Sequence, residues 1–93
     1  MPEMHFRVTW PDGSNTRCYS PSLVIKDYFA PGAQYPLADF LRRSREAYGI
    51  ASERVRQKFG FPCSHAARAL AEVEGIGGRF PSDATVTVDA FED

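Results

Sequence analysis

The chain has 93 residues, of which 43% are hydrophobic and 25% are charged, and its net charge is −1. These values predict one globular domain with a modest core, and they argue against a dedicated nucleic-acid-binding protein. No stretch approaches the roughly 20 apolar residues that span a membrane. The opening residues MPEMHF contain no apolar run typical of a secretory signal, so we expect a cytoplasmic protein.

A β-hairpin is predicted near the start of the chain. Met4–Trp10 alternates apolar and polar side chains, which is the pattern of a strand with one buried face. Pro11–Gly13 is a strong turn signal, and Asn15–Ser20 returns as a second strand with little apolar content. This second strand is expected to have one face in water or to form an edge of the sheet.

The next segment, Leu23–Phe29, fits two structures. A helix would bring its apolar side chains together, and its β-branched residues would fit a strand equally well. We favour a short helix, because the preceding serine and proline suit a helix start. Ala33–Tyr35 is predicted to be a loop that leads into the following helix.

Leu37–Phe59 is the longest periodic segment, and its spacing of apolar residues predicts a helix with one buried face. Pro36 suits the first helical position and Gly60 suits the cap at the end. Gly49 lies in the middle, where glycine lowers helix stability. We expect close packing of another backbone there, with a kink as the alternative.

A second helix is predicted to start at Cys63 and Ser64 and to end in Gly75–Gly78, and Ala84–Phe91 alternates as a final strand. We therefore predict a single α+β domain. It would consist of a three-stranded antiparallel sheet with two helices packed on one face, and the final strand would lie beside the first.

The arginines of the long helix suggest nucleic-acid binding, because Leu37–Phe59 carries six basic and three acidic residues. No reader motif accompanies them, and the acidic residues interrupt the basic face. We expect that face to be neutralised along the helix by pairs of Glu46 with Arg42 or Arg43 and of Glu53 with Arg56 or Gln57.

Cys63 is the first candidate functional residue, because it precedes a predicted helix N-terminus, where the helix dipole stabilises a thiolate. Cys18 and His65 would complete a three-ligand metal site if the hairpin packed against that turn. We favour the simpler interpretation, in which Cys63 is a small buried residue and His65 a surface residue. Both thiols are then free, and we expect no catalytic residue, metal or cofactor.

The second candidate is the open face of the sheet. Arg7 and Arg17 could face each other across the hairpin, near His5, and together attract a carboxylate or a phosphate group. Trp10 and Tyr19 are the aromatic residues that a partner would cover if this face exposed them. A solvated face with ordinary charge pairing is the alternative, and we favour it.

Three segments resemble a small bacterial family, the nitrogen-starvation-response proteins of the nitrilase gene cluster: MPEMHFRVTWPDGS, CYSPSLVIKDYF and SREAYGIASERVRQKFGFPCS. The resemblance runs from Met1 to about Glu74. It implies genes nearby for a nitrilase, a radical-SAM protein, a GNAT-type acetyltransferase, an AIR-synthase-like protein, a flavoprotein and sometimes a glycosyltransferase. It implies no established activity and no functional residue.

Three hypotheses follow. The first is a non-catalytic accessory or adaptor protein that binds an enzyme of the nitrilase cluster, or a second copy of itself, through the open sheet face. The second is a small thiol- or metal-dependent enzyme or carrier that uses Cys63 with Cys18 and His65. The third is a nucleic-acid-binding regulator. We favour the first, because no catalytic constellation is visible.

Overall fold

The computed structural model describes residues 3–60 and 64–92. The chain forms an α+β fold, and within those ranges no helix is long and apolar enough to cross a membrane. Its elements follow in the order β1 (Met4–Thr9), β2 (Asn15–Ser20), α1 (Ile25–Tyr28), β3 (Ala33–Pro36), α2 (Leu37–Phe59), α3 (Ser64–Gly77) and β4 (Thr85–Glu92).

The sheet is antiparallel with the strand order β2-β1-β4-β3. β4 lies beside β1, as predicted, and both strands are interior. The prediction of three strands is wrong, because the sheet has a fourth, β3, where a loop was expected. The predicted short helix is confirmed as α1, a single turn within Leu23–Phe29.

β3 was not predicted as a strand because its four residues, AQYP, are too few to show a clear alternation of apolar and polar side chains. Its structure depends on its neighbour, since Ala33 pairs with Val88 and Pro36 pairs with Thr85. The backbone N–H of Gly32 donates to the carbonyl of Val88 at 2.6 Å, just before the strand begins. Pro36 ends the strand at the sheet edge, where a residue without an N–H is tolerated.

One hydrophobic core lies on one face of the sheet. Every second residue of β1 points into it, so Met4, Phe6 and Val8 are buried whereas the residues between them are not. The helices contribute to the same cluster of buried residues, with Ile25 from α1, Phe40 from α2 and six others: Leu37, Ala47, Tyr48, Ala51, Ala66 and Val73. The opposite face of the sheet therefore carries no helix among the described elements.

The glycines of α2 and α3 differ from the expectation. The helix runs unbroken through Gly49, and a Cβ atom there would meet no atom within 4 Å, so the prediction of close packing at Gly49 is wrong. The close approach occurs at Gly77, where a Cβ atom would lie 3.0 Å from a methyl carbon of Leu41. Gly60 ends α2 with a φ of 85°, as predicted for a left-handed cap.

We expect Gly49→Ala to raise the free energy of unfolding by about 1 kcal/mol, because alanine restricts the unfolded chain and favours the helix. Urea denaturation monitored by circular dichroism measures the change. The matched control is Gly60→Ala, which should lower stability, because alanine is strained at positive φ. A loss of stability in Gly49→Ala would contradict the open surroundings of that residue.

Candidate functional site

The hairpin places three pairs of side chains opposite each other on the uncovered face of the sheet. The register aligns His5 with Tyr19, Arg7 with Arg17, and Thr9 with Asn15. The prediction that the two arginines face each other across the hairpin is confirmed. Alternation places these residues on one face of the sheet, and the short turn sets the register that aligns them in pairs.

A carboxylate of the chain itself occupies the space between the two arginines. The Nε atoms of Arg7 and Arg17 each donate to a different carboxylate oxygen of Glu92, both at 2.6 Å. The hydrogen bond from Arg17, and to a lesser extent the one from Arg7, holds the pKa of Glu92 below its usual range. Glu92 comes from β4, so this cluster joins side chains of three adjacent strands.

A second polar group lies further along the same face. The Thr9 hydroxyl donates to Asp89 at 2.6 Å and accepts from the side-chain amide of Asn15 at 2.7 Å. Asp89 lies at an irregularity in the β1–β4 pairing, where the register shifts between Arg7 and Val8. Such a bulge re-aims a side chain, which allows Asp89 to reach Thr9. The uncovered face is therefore polar and ordered by its own hydrogen bonds.

Trp10 does not belong to that face. It is only 2% exposed, and its ring contacts Phe40 edge-on and stacks with Phe80 on the helical side of the sheet. Its indole N–H donates to the Thr16 hydroxyl at 2.9 Å. Placing Trp10 among the exposed aromatic residues was wrong, because the alternation of β1 continues through it and turns it inward with Val8.

Of the two candidate thiols, Cys18 lies among the described residues and Cys63 lies outside them. Cys18 is buried, and burial together with the nearby Glu72 carboxylate raises the pKa of its thiol to about 12. A thiolate at Cys18 is therefore strongly disfavoured at neutral pH. Within residues 3–60 and 64–92, no group of three or more His, Cys, Asp or Glu residues is placed to hold a metal ion.

A cavity of about 370 Å³ lies between β2 and α3 and brings together five of the candidates: His5, Arg17, Cys18, Tyr19 and His65. The side-chain rings of His5, Tyr19 and His65 form part of the cavity wall. Tyr19 meets His5 edge-on, with ring centroids 5.6 Å apart, and its centroid lies 6.1 Å from that of His65. His65 is exposed, as predicted, and it approaches the hairpin through its contact with Tyr19.

Two charged residues of this cavity, Arg68 and Glu72, were not among the sequence candidates. They lie on the same side of α3 as His65, because residues three or four positions apart share a helix face. That spacing was visible in the sequence. It gave no reason to choose this helix face, because the sequence does not reveal that α3 packs against β2.

The arginine-rich surface of α2 is paired internally, as predicted. Arg42 bridges Asp39 and Glu46, with N–O distances of 2.5 Å and 3.2 Å. The hydrogen bond from Arg43, and to a lesser extent the one from Arg42, lowers the pKa of Asp39. The remaining ion pairs of this surface join Arg43 to Asp39, Arg45 to Glu74 of α3, and Arg56 to Glu53.

Comparison with known proteins identifies the family of the chain. No curated protein and no solved structure matches the chain. A family model described as nitrogen starvation-induced protein NitG matches residues 5–91, which is nearly the whole chain. This confirms the nitrogen-starvation part of the sequence resemblance, whereas the association with a nitrilase cluster stays a prediction. The chain belongs to the family of the nitrogen starvation-induced protein NitG.

Proposed function

We propose that the protein is a non-catalytic adaptor of the nitrogen-starvation response. It binds a partner protein, one of the enzymes encoded in the nitrilase cluster, through the uncovered face of the sheet. The observation that carries this proposal is the contrast between the two faces: one is sealed by helices, and the other presents an ordered set of polar side chains centred on Arg7, Arg17 and Glu92.

The chemistry of this face favours a polar partner surface that carries carboxylates. Arg7 and Arg17 use their Nε atoms to bind Glu92, and their side chains are 60% and 57% exposed. The other N–H groups of each guanidinium make no hydrogen bond with the described part of the chain, so they can donate to acidic side chains of a partner. Because Glu92 already holds both arginines in place, less side-chain entropy is lost on binding.

A pull-down from nitrogen-starved cells, followed by co-elution with each purified product of the gene cluster, tests this proposal. The decisive variant is Arg17→Glu, which reverses a charge on the uncovered face. Its matched control is Arg42→Glu, which reverses a similarly exposed and ion-paired arginine on α2. We expect the first variant to lose the partner and the control to keep it.

Two results would overturn the proposal. One is that no cluster enzyme co-elutes with the wild-type protein. The other is that both charge reversals weaken the complex equally, because a specific site on the sheet would not respond to a change on the helical side. If a second copy of the chain is the only partner found, sedimentation of the Arg17→Glu variant would still test the role of this face, but the enzyme partner would be excluded.

A further inference from the structure

The cavity between β2 and α3 has properties that an adaptor surface does not require. Its volume of about 370 Å³ lies within the range of small-molecule sites. Its walls combine an apolar part, formed by Cys18, Ala69 and Val73, with the aromatic rings of Tyr19 and His65. Such a mixture suits a ligand with an apolar or aromatic body.

The cavity contains two charged side chains from α3. Arg68 and Glu72 lie one turn apart on α3, and both line the cavity. The same spacing and order on α2 produces an ion pair, in which Arg42 and Glu46 approach to 3.2 Å. Neither Arg68 nor Glu72 makes an ion pair with any residue in the described ranges. The cavity therefore presents one positive and one negative group that are not paired with each other.

Arg17, the other cationic residue of the cavity, is already engaged. Its Nε donates to Glu92, a carboxylate that it shares with Arg7, so its guanidinium is held on the uncovered face of the sheet. This leaves Arg68 as the group best able to bind a carboxylate, and Glu72 as the group best able to bind an ammonium. A ligand that carries only one charge would leave the other side chain without a partner.

We propose that this cavity binds a small zwitterion, a free α-amino acid with an apolar or aromatic side chain. Its carboxylate would pair with Arg68 and its ammonium group with Glu72. Its side chain would contact the apolar part of the wall and the ring of Tyr19. The two charged residues that the ligand requires, Arg68 and Glu72, lie on α3, so they can be changed without altering Arg7, Arg17 or Glu92 of the adaptor surface, although Arg17 and Tyr19 border the cavity as well.

Titration by NMR tests this site with three related probes. Phenylalanine carries both charges, phenylpropionate lacks the ammonium group, and phenethylamine lacks the carboxylate. We expect phenylalanine to shift the backbone amide signals of residues 16–19 and 65–73. We expect it to bind about tenfold or more tightly than either analogue, because each charge-assisted hydrogen bond contributes roughly that factor.

Variants that remove one charge each test which side chain binds the carboxylate and which binds the ammonium group of the ligand. Arg68→Gln should weaken phenylalanine binding about tenfold and leave phenethylamine binding unchanged, and Glu72→Gln should weaken phenylalanine equally and leave phenylpropionate unchanged. Arg42→Gln and Glu46→Gln are the matched controls, because they have the same spacing on another helix. All four side chains lie at the surface, so the fold should be retained.

Three results would overturn the proposal. The first is the absence of localised shifts with phenylalanine at millimolar concentration. The second is an analogue that binds as tightly as phenylalanine, which would show that one of the charges is not used. The third is equal binding by the α3 variants and the α2 controls. None of these results bears on partner binding by the sheet, so a failure here is distinguishable from a failure of the adaptor proposal.

Discussion

Trp10→Ala should lower the free energy of unfolding by about 3–5 kcal/mol, the usual cost of removing a large aromatic side chain from a core. The ring is 2% exposed and packs against Phe40 of α2 and Phe80 of the segment after α3. Its loss would leave a cavity between the sheet and the helical layer. Because small domains have a total stability of about 5–15 kcal/mol, the variant should lose a large fraction of its stability. Urea denaturation measures the loss.

Two further variants make the result specific. Phe59→Ala removes an aromatic side chain that is 54% exposed, and it should change stability by only about 0.5 kcal/mol. Trp10→Phe keeps much of the packing but removes the indole N–H that binds Thr16. It should therefore fall between the wild type and Trp10→Ala. If Trp10→Ala were as stable as Phe59→Ala, the placement of Trp10 in the core would be wrong.

Tyr48→Phe should cost about 1–3 kcal/mol, because it removes the donor of a part-buried hydrogen bond to a backbone carbonyl. Tyr48 lies in α2 and is 1% exposed, and its hydroxyl donates to the backbone carbonyl of Tyr19 in β2. This bond ties the long helix to an edge strand. Burial also raises the pKa of the Tyr48 phenol, so the hydroxyl remains a donor throughout the physiological range.

The matched control is Tyr35→Phe. The hydroxyl of Tyr35 accepts a hydrogen bond from the backbone N–H of Ala30 at 2.9 Å, at an exposed position where water can replace it. Chemical denaturation of both variants under the same conditions should show a clear loss for Tyr48→Phe and a small one for Tyr35→Phe. Equal losses would mean that the carbonyl of Tyr19 does not depend on Tyr48.

Elements with a strong periodic pattern were predictable from the sequence. The hairpin, the long helix and the final strand each repeat their pattern over six or more residues. β3 was not predictable, because its four residues become a strand only by pairing with β4. The glycines show the same limit. A mid-helix glycine at Gly49 suggested a close contact, but the close contact occurs at Gly77. Its position depends on how α2 and α3 are oriented, and no local sequence pattern contains that orientation.

The candidate site was predictable to a different degree on each surface. Facing residues such as Arg7 and Arg17 follow from the alternation of a hairpin joined by a short turn. The carboxylate that binds both of them, Glu92, comes from the other end of the chain, and no local pattern indicates that it faces them. Arg68 and Glu72 could not be identified, because their importance depends on the packing of α3 beside β2.

The pairing of β1 with β4 also determines the order in which the protein can fold during synthesis. Thr9 and Asp89, which bind each other across these strands, lie 80 residues apart in the chain. The ribosome therefore releases the hairpin well before the strand that completes the centre of the sheet. Until β4 emerges, the backbone N–H and C=O groups along one edge of β1 have no partner strand, and unpaired edges invite association with other chains. We expect folding to be slow, late and dependent on protection of this edge in the cell.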